Sequence, residues 1–139
     1  MPSIKYFAED IVFKLPHPRK TTTWIKEVIG QEGFSLGEVN FIFCSDKHLH
    51  TINVEYLDHD TYTDIITFDN SEEKNLIEGD IFISIDRIRE NAILFQNEFD
   101  RELHRVIIHG VLHLLGYTDK TKAKKKVMTN KEDECLSLR

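Results

Sequence analysis

The chain has 139 residues, of which 40% are hydrophobic, and its formal net charge is −6 at pH 7. These values fit one globular domain with its own core, spanning residues 1–139, and exclude a disordered or fibrous protein. The acidic balance argues against a generic nucleic-acid-binding domain, because such domains are usually basic. No segment has the apolar length of a signal peptide or a membrane span, so we expect a cytoplasmic protein with no membrane partner.

Strand-like and helical patterns alternate through the first part of the chain. Runs of β-branched and aromatic residues predict strands, whereas apolar residues at helical spacing, with polar starts and glycine ends, predict helices. We expect strands at IKYF (4–7), DIVFKL (10–15) and EVNFIFCS (38–45), and helices at residues 19–34 and 47–57, the second capped by Asp46.

The second part of the chain predicts two more strands and three helices. The strands are DIITFD (64–69) and GDIFISID (79–86), and the helices are residues 87–96, capped by Asp86, residues 99–116 and residues 130–138. The longest helix, 99–116, carries a face that we expect to be largely buried, formed by Leu103, Val106, Ile107, Val111 and Leu114. Gly116 suits the left-handed conformation that ends many helices.

The segment IIHGVLHLLGYTD (107–119) contains the spacing of a metal site. His109 and His113 are four residues apart, so a helix brings both imidazoles to one face, and Asp119 can return to them after the turn at Gly116. A lone histidine on an apolar helix, such as His104, is more often a core residue than a ligand. The combined spacing instead predicts one zinc ion at the end of the main helix, with an open fourth position typical of catalytic zinc.

Gly110 distinguishes this segment from the protease pattern HExxHxxGxxH, which has the same ligand spacing. In that pattern a glutamate follows the first histidine and acts as the general base. With glycine there, the metal-binding geometry is retained and the protease base is absent. Glycine inside a helix costs about 1 kcal/mol relative to alanine, which indicates that another part of the molecule closely approaches the backbone at this point.

The segment HGVLHLLGYTD (109–119) resembles the signature HGxLHLxGYDH of the YbeY family of bacterial metal-dependent endoribonucleases. INVEYL, TDIITF and GDIFIS resemble further family segments in the same order. The resemblance implies a small α+β domain with about four strands in a mixed sheet behind the metal-bearing helix. It also implies single-strand-specific cleavage in ribosomal RNA processing (3′ end maturation of 16S rRNA) and ribosome quality control. His109 and His113 would be catalytic, and ribosomal RNA and the small ribosomal subunit would be the partners.

Three residues depart from the family pattern. Asp119 stands where family members commonly have a third histidine, and Leu57 and His59 stand where they have an arginine and a lysine. Aspartate can also ligate zinc. A carboxylate leaves the ion less positive, however, so we expect an activity optimum above neutral pH.

The lysine run KTKAKKK (120–126) places five cations directly after the metal motif. These cations and His59 are the candidate RNA contacts, although a solvated surface is the alternative interpretation of both. The lysines are Lys120, Lys122, Lys124, Lys125 and Lys126.

The general base and the class of function remain open at this point. Asp64 and Asp80 have a suitable side chain, but each could equally be a helix cap or a hydrogen-bond partner of a ligating histidine. Besides the nuclease, the sequence allows a metallopeptidase-like hydrolase, which Gly110 argues against. It also allows a ribosome-biogenesis binding factor with a structural metal, which Leu57 favours. The oligomeric state does not follow from the sequence.

Overall fold

The computed structural model describes residues 2–59 and 61–139. In this part of the chain, four strands and five helices form a small α+β domain. In chain order they are β1 Ser3–Ala8, α1 Pro18–Gln31, β2 Ser35–Cys44, α2 Asp46–Leu57, β3 Ile65–Asp69, β4 Leu76–Ser84, α3 Ile85–Leu94, α4 Phe99–Leu114 and α5 Lys122–Ser137. None of these helices is both long enough and apolar enough to cross a membrane.

The sheet is mixed, as the family resemblance implies, with strand order β1-β2-β4-β3. β2 runs parallel to β1 and to β4, whereas β3 is antiparallel to β4. Alternate side chains of β2 point to opposite faces of the sheet. Phe41 and Phe43 lie in the main core, which includes residues of α1 and α4. Cys44 lies in a smaller cluster with Leu49 and Ile52 of α2.

Helix α4 lies directly against β3 and β4, and its backbone comes close to the sheet at Gly110. A Cβ atom at Gly110 would lie 2.9 Å from Ile65 Cδ1 and 2.9 Å from Ile81 Cγ2, distances that real Cβ contacts do not reach. The predicted close approach to this glycine is therefore confirmed, and the sheet supplies it.

The buried face and the end of α4 also match the prediction. Leu103, Val106, Ile107, Val111 and Leu114 are between 0% and 7% exposed. Gly116 has φ +105°, two residues beyond the last residue of the helix. Because this conformation favours glycine, the chain can reverse here and bring the next residues back toward the helix.

The predicted strand at residues 10–15 is wrong. These residues form no strand, although Leu15 is buried and Ile11 and Phe13 pack partly against the main core. Val12 between them is fully exposed, at 104%. The β-branched and aromatic residues that suggested a strand belong to an irregular segment with one buried side, which pairs with no strand in the described part of the chain.

The predicted helix caps at Asp46 and Asp86 are also wrong. The side chain of Ser45 accepts a hydrogen bond from the backbone of α2, and Ser84 does the same for α3. Each aspartate lies one or two positions further along, in the first turn of its helix, where its negative charge interacts favourably with the helix dipole. Serine and aspartate cap helices about equally well, so adjacent candidates could not be separated by type.

The last helix begins eight residues earlier than predicted, at Lys122. Thr121 caps it, accepting a hydrogen bond from the backbone of Lys124. Lysine is a good helix former, so the lysine run continues the helix instead of forming a loop before it. Most of the run thus occupies the first turns of α5.

Candidate metal centre

The three residues of the sequence motif lie together at the C-terminal end of α4. The Nε2 atoms of His109 and His113 face each other at 2.9 Å. Asp119 follows the turn at Gly116 and places Oδ2 3.8 Å from His109 Nε2. The three potential ligand atoms lie within 4.8 Å of one another, and we refer to His109, His113 and Asp119 together as the ligand group.

These distances fit the ligand shell of a small divalent ion. Bonds of about 2.0–2.1 Å in a tetrahedral site separate the ligand atoms by roughly 3.3 Å. The 2.9 Å between the two Nε2 atoms and the 3.8 Å to Asp119 Oδ2 bracket that separation. Two imidazoles and a carboxylate are also a donor set that such ions accept. The group can therefore hold one metal ion with only small side-chain adjustments.

Glu132 of α5 contacts His109 at Nδ1, the ring nitrogen that does not face His113. This residue was not identified from the sequence. His109 Nδ1 donates a hydrogen bond to Glu132 Oε2 at 2.5 Å, and Arg105 Nη1 donates to Glu132 Oε1 at 2.7 Å. The only sequence signal is its position: Glu132 shares the buried stripe of α5 with Met128 and Cys135. An acid in an apolar helical stripe is unusual enough to indicate a buried partner.

The two histidines differ in their preference for a proton. Burial lowers the pKa of His109, but the hydrogen bond and charge of Glu132, together with Asp64 and Asp119, outweigh burial and raise it. Burial, and then the positive charge of His109, lower the pKa of His113. A metal ion needs both Nε2 lone pairs, so it competes with a proton mainly at His109.

A cavity of about 220 Å³ opens beside His109. It is lined by Asp64, Glu102, Arg105, Val106, His109, Asp119 and Glu132. Burial raises the pKa of Asp64, and the nearby charge of His109 opposes this rise. Asp64 is therefore close enough to the ligand group to interact with it electrostatically.

Asp80 does not belong to this site. Its side chain accepts a hydrogen bond from Asn40 Nδ2 at 3.0 Å, and the two residues are paired across β2 and β4. The next residue, Ile81, faces Gly110 of α4, so Asp80 points to the opposite face of the sheet. Of the roles left open for Asp80, those of general base and of hydrogen-bond partner of a ligating histidine are excluded, because the strand alternation turns its side chain away from the histidines.

The predicted RNA-contact residues lie on the surface near the ends of two helices. The lysines of residues 120–126 are all exposed and follow directly after Asp119. His59 is exposed in the loop after α2, and Leu57, the last residue of that helix, is 40% exposed. Their contact with RNA stays a prediction.

Comparisons with known proteins identify relatives over nearly the whole chain. A family model described as Endoribonuclease YbeY matches residues 9–138. A protein of that name from Cytophaga hutchinsonii is 53% identical over 137 residues, covering 99% of this chain and 96% of the relative. Another from Amoebophilus asiaticus is 54% identical over 130 residues, covering 94% and 88%. The solution structure of TM1509 from Thermotoga maritima is similar with a TM-score of 0.65 at 28% identity, covering 96% of this chain and 87% of that one.

Proposed function

The chain belongs to the endoribonuclease YbeY family, and we propose that it is a metal-dependent endoribonuclease that cleaves single-stranded RNA during ribosomal RNA processing. The observation that carries the metal dependence is the convergence of His109, His113 and Asp119 at the end of α4. The family resemblance supports ribosomal RNA and the small ribosomal subunit as partners, with 16S rRNA maturation and ribosome quality control as the processes. Such a substrate would place the reaction in the cytoplasm.

We assign the ligand roles to three side chains and favour zinc as the ion. His109 and His113 would each bind through Nε2 and Asp119 through a carboxylate oxygen, a mixed nitrogen and oxygen set that suits zinc. When bound, the ion would neutralise charge on a phosphate oxygen and activate the attacking water. The exposed lysines of residues 120–126, beginning one residue after Asp119, would hold the flanking phosphates.

The metallopeptidase alternative is disfavoured by the packing of α4. The protease base would occupy position 110, where even a Cβ atom would lie 2.9 Å from Ile65 and Ile81. This position faces the sheet, so a glutamate there could not serve the ligand group. The binding-factor alternative keeps support from Leu57, because an exposed leucine stands where a phosphate-binding arginine is expected.

Cleavage of labelled single-stranded RNA with and without a chelator tests the proposed function. We expect weak cleavage that the chelator abolishes and added zinc restores, with a maximum above neutral pH because of the carboxylate ligand. Casein and peptides should stay intact, since loss of a general base typically costs 10² to 10⁴ in rate. Absence of RNA cleavage at every pH would favour the binding factor, and Leu57→Arg would then be the first variant to assay.

The lysine run should contribute to RNA binding through its positive charges. Replacing Lys124, Lys125 and Lys126 with glutamine should weaken binding and lower the salt dependence by about 0.7 in log–log slope for each lysine that pairs with a phosphate of single-stranded RNA. Folding should not suffer, because these side chains are exposed and positive charges are unfavourable at a helix N-terminus. Fluorescence anisotropy of labelled RNA over a salt series measures the slope.

A triple variant of other lysines separates local binding from net charge. Lys14, Lys20 and Lys26 are also exposed, and their replacement by glutamine changes the net charge equally. We expect this variant to keep the wild-type slope. An unchanged slope in the first variant would instead identify the run of 120–126 as a solvated surface, and equal decreases in both would indicate a general charge effect.

A further inference from the structure

We propose that Glu132 is a positioning residue for the metal centre, holding His109 in the tautomer and orientation that ligation requires, while Arg105 holds Glu132. The inference deepens the proposed function and rests on the metal site described there. Residues of α4 and α5 together would orient the His109 side chain for metal binding, and this role does not require Glu132 to touch the metal or the RNA.

The first argument is the geometry of the hydrogen-bonded chain from Arg105 to His109. Each oxygen of the Glu132 carboxylate has one partner: Arg105 Nη1 on Oε1 and His109 Nδ1 on Oε2. Because a carboxylate only accepts, Nδ1 of His109 must carry the hydrogen. The neutral ring then presents its lone pair at Nε2, the atom that faces His113.

The second argument is the burial of Glu132. Its side chain is only 8% exposed, and a buried carboxylate is costly unless it is paired and hydrogen-bonded. Arg105, 24% exposed, supplies the opposite charge and a hydrogen bond. This ion pair connects α5 to α4 next to His109, so the position of Glu132 is fixed by packing as well as by charge.

The third argument is the contrast between the two histidines. The ring of His113 donates a hydrogen bond to the backbone of Tyr117, in the turn that follows α4. His109 instead depends on a side chain 23 positions away. Ligating histidines commonly donate their second ring nitrogen to a carboxylate or a carbonyl, and loss of such a partner typically costs 10- to 100-fold in metal affinity. Only the partner of His109 can be removed by a side-chain substitution.

The test compares Glu132→Gln with Asp133→Asn. Asp133 is the neighbouring carboxylate: Arg105 Nη2 donates to its Oδ1 at 2.5 Å, whereas His109 Nδ1 donates to Glu132. Zinc affinity is measured by competition with a chromophoric chelator, and folding is checked by circular dichroism. We expect Glu132→Gln to lower zinc affinity 10- to 100-fold and Asp133→Asn to leave it close to wild type.

A second readout needs neither metal nor activity. In the metal-free wild-type protein, at a pH high enough for the His109 ring to be neutral, ¹⁵N NMR should show its hydrogen on Nδ1, and Glu132→Gln should shift this population toward Nε2. A neutral wild-type His109 ring with its hydrogen on Nε2 would overturn the proposal, even if the variant failed to fold. Equal zinc affinity of the wild type and a folded Glu132→Gln would also overturn it, while leaving RNA cleavage and the proposed function intact. RNA cleavage without metal dependence would overturn only the proposed function.

Discussion

Replacing His113 with alanine is expected to abolish metal binding and RNA cleavage together. The substitution removes one of three converging ligand atoms, the Nε2 that lies 2.9 Å from His109 Nε2. Because the remaining imidazole and an exposed carboxylate leave the ion mostly to solvent, purified protein should carry metal only at background level. Elemental analysis and cleavage of labelled RNA measure the two effects on the same preparation.

His104→Gln is the matched control for this variant, since it replaces another histidine of α4 outside the ligand group. It should keep both metal and cleavage, and circular dichroism should show native helix content in both variants. Equal cleavage by wild type and His113→Ala would reveal a contaminating nuclease. A His113→Ala protein that retains its full metal content would contradict the assignment of this histidine as a ligand.

The stability of the fold should decline as the pH falls from about 6.5 to about 4, in part because of His104. Burial, and then the charge of Arg139 and Lys20, lower the pKa of His104 from 6.5 to about 4, against an opposing effect of Asp100. In this window the unfolded chain binds a proton that the native state does not, so protons favour unfolding. At 1.36 kcal/mol per pKa unit, discounted for partial exposure, the loss is roughly 2 kcal/mol.

Urea unfolding at a series of pH values measures this effect. His104→Gln keeps an acceptor for Arg139 Nε, which lies 3.1 Å from a ring nitrogen of His104, and removes the titration. Its free energy of unfolding should therefore fall less than that of wild type between pH 6.5 and pH 4. His59→Gln replaces an exposed loop histidine and should keep the wild-type pH dependence. Parallel curves for wild type and His104→Gln would contradict the prediction.

The ligand group could be predicted because its signal is local. His109 and His113 share one helix, and Asp119 follows a single turn whose glycine has the required positive φ. Helical spacing and one turn therefore suffice to bring the three side chains together. The sheet-facing contact of Gly110 was predicted only as a close approach, since spacing does not reveal which element lies opposite.

Glu132 could not be predicted because its role depends on the packing of two helices. The residue lies 23 positions beyond His109, and only the arrangement of α5 against α4 brings their side chains within hydrogen-bonding distance. Its sequence neighbours in α5, NKEDE (130–134), are polar and resemble a solvent-exposed surface. Long-range contacts of this kind are set by tertiary structure, which local patterns do not encode.

The incorrect interpretations of residues 10–15 and of Asp80 have a similar cause. The β-branched and aromatic residues of 10–15 are typical of a strand, yet a strand needs a neighbouring strand to pair with. In the described part of the chain this segment packs on the core without such a neighbour. Asp80 has an acceptable side chain but lies on the wrong face of β4, next to Asn40. In both cases the residue types suggested a role, but they did not show which way the side chain points or which element lies beside it.

Anomalous diffraction at the zinc edge from crystals of the zinc-loaded protein tests the metal site most directly. We expect one strong peak between His109 Nε2, His113 Nε2 and a carboxylate oxygen of Asp119, with distances of about 2.0–2.2 Å to all three. A peak held by the two histidines while Asp119 points away would contradict the third ligand. A peak elsewhere, or none at full zinc loading, would contradict the metal centre itself.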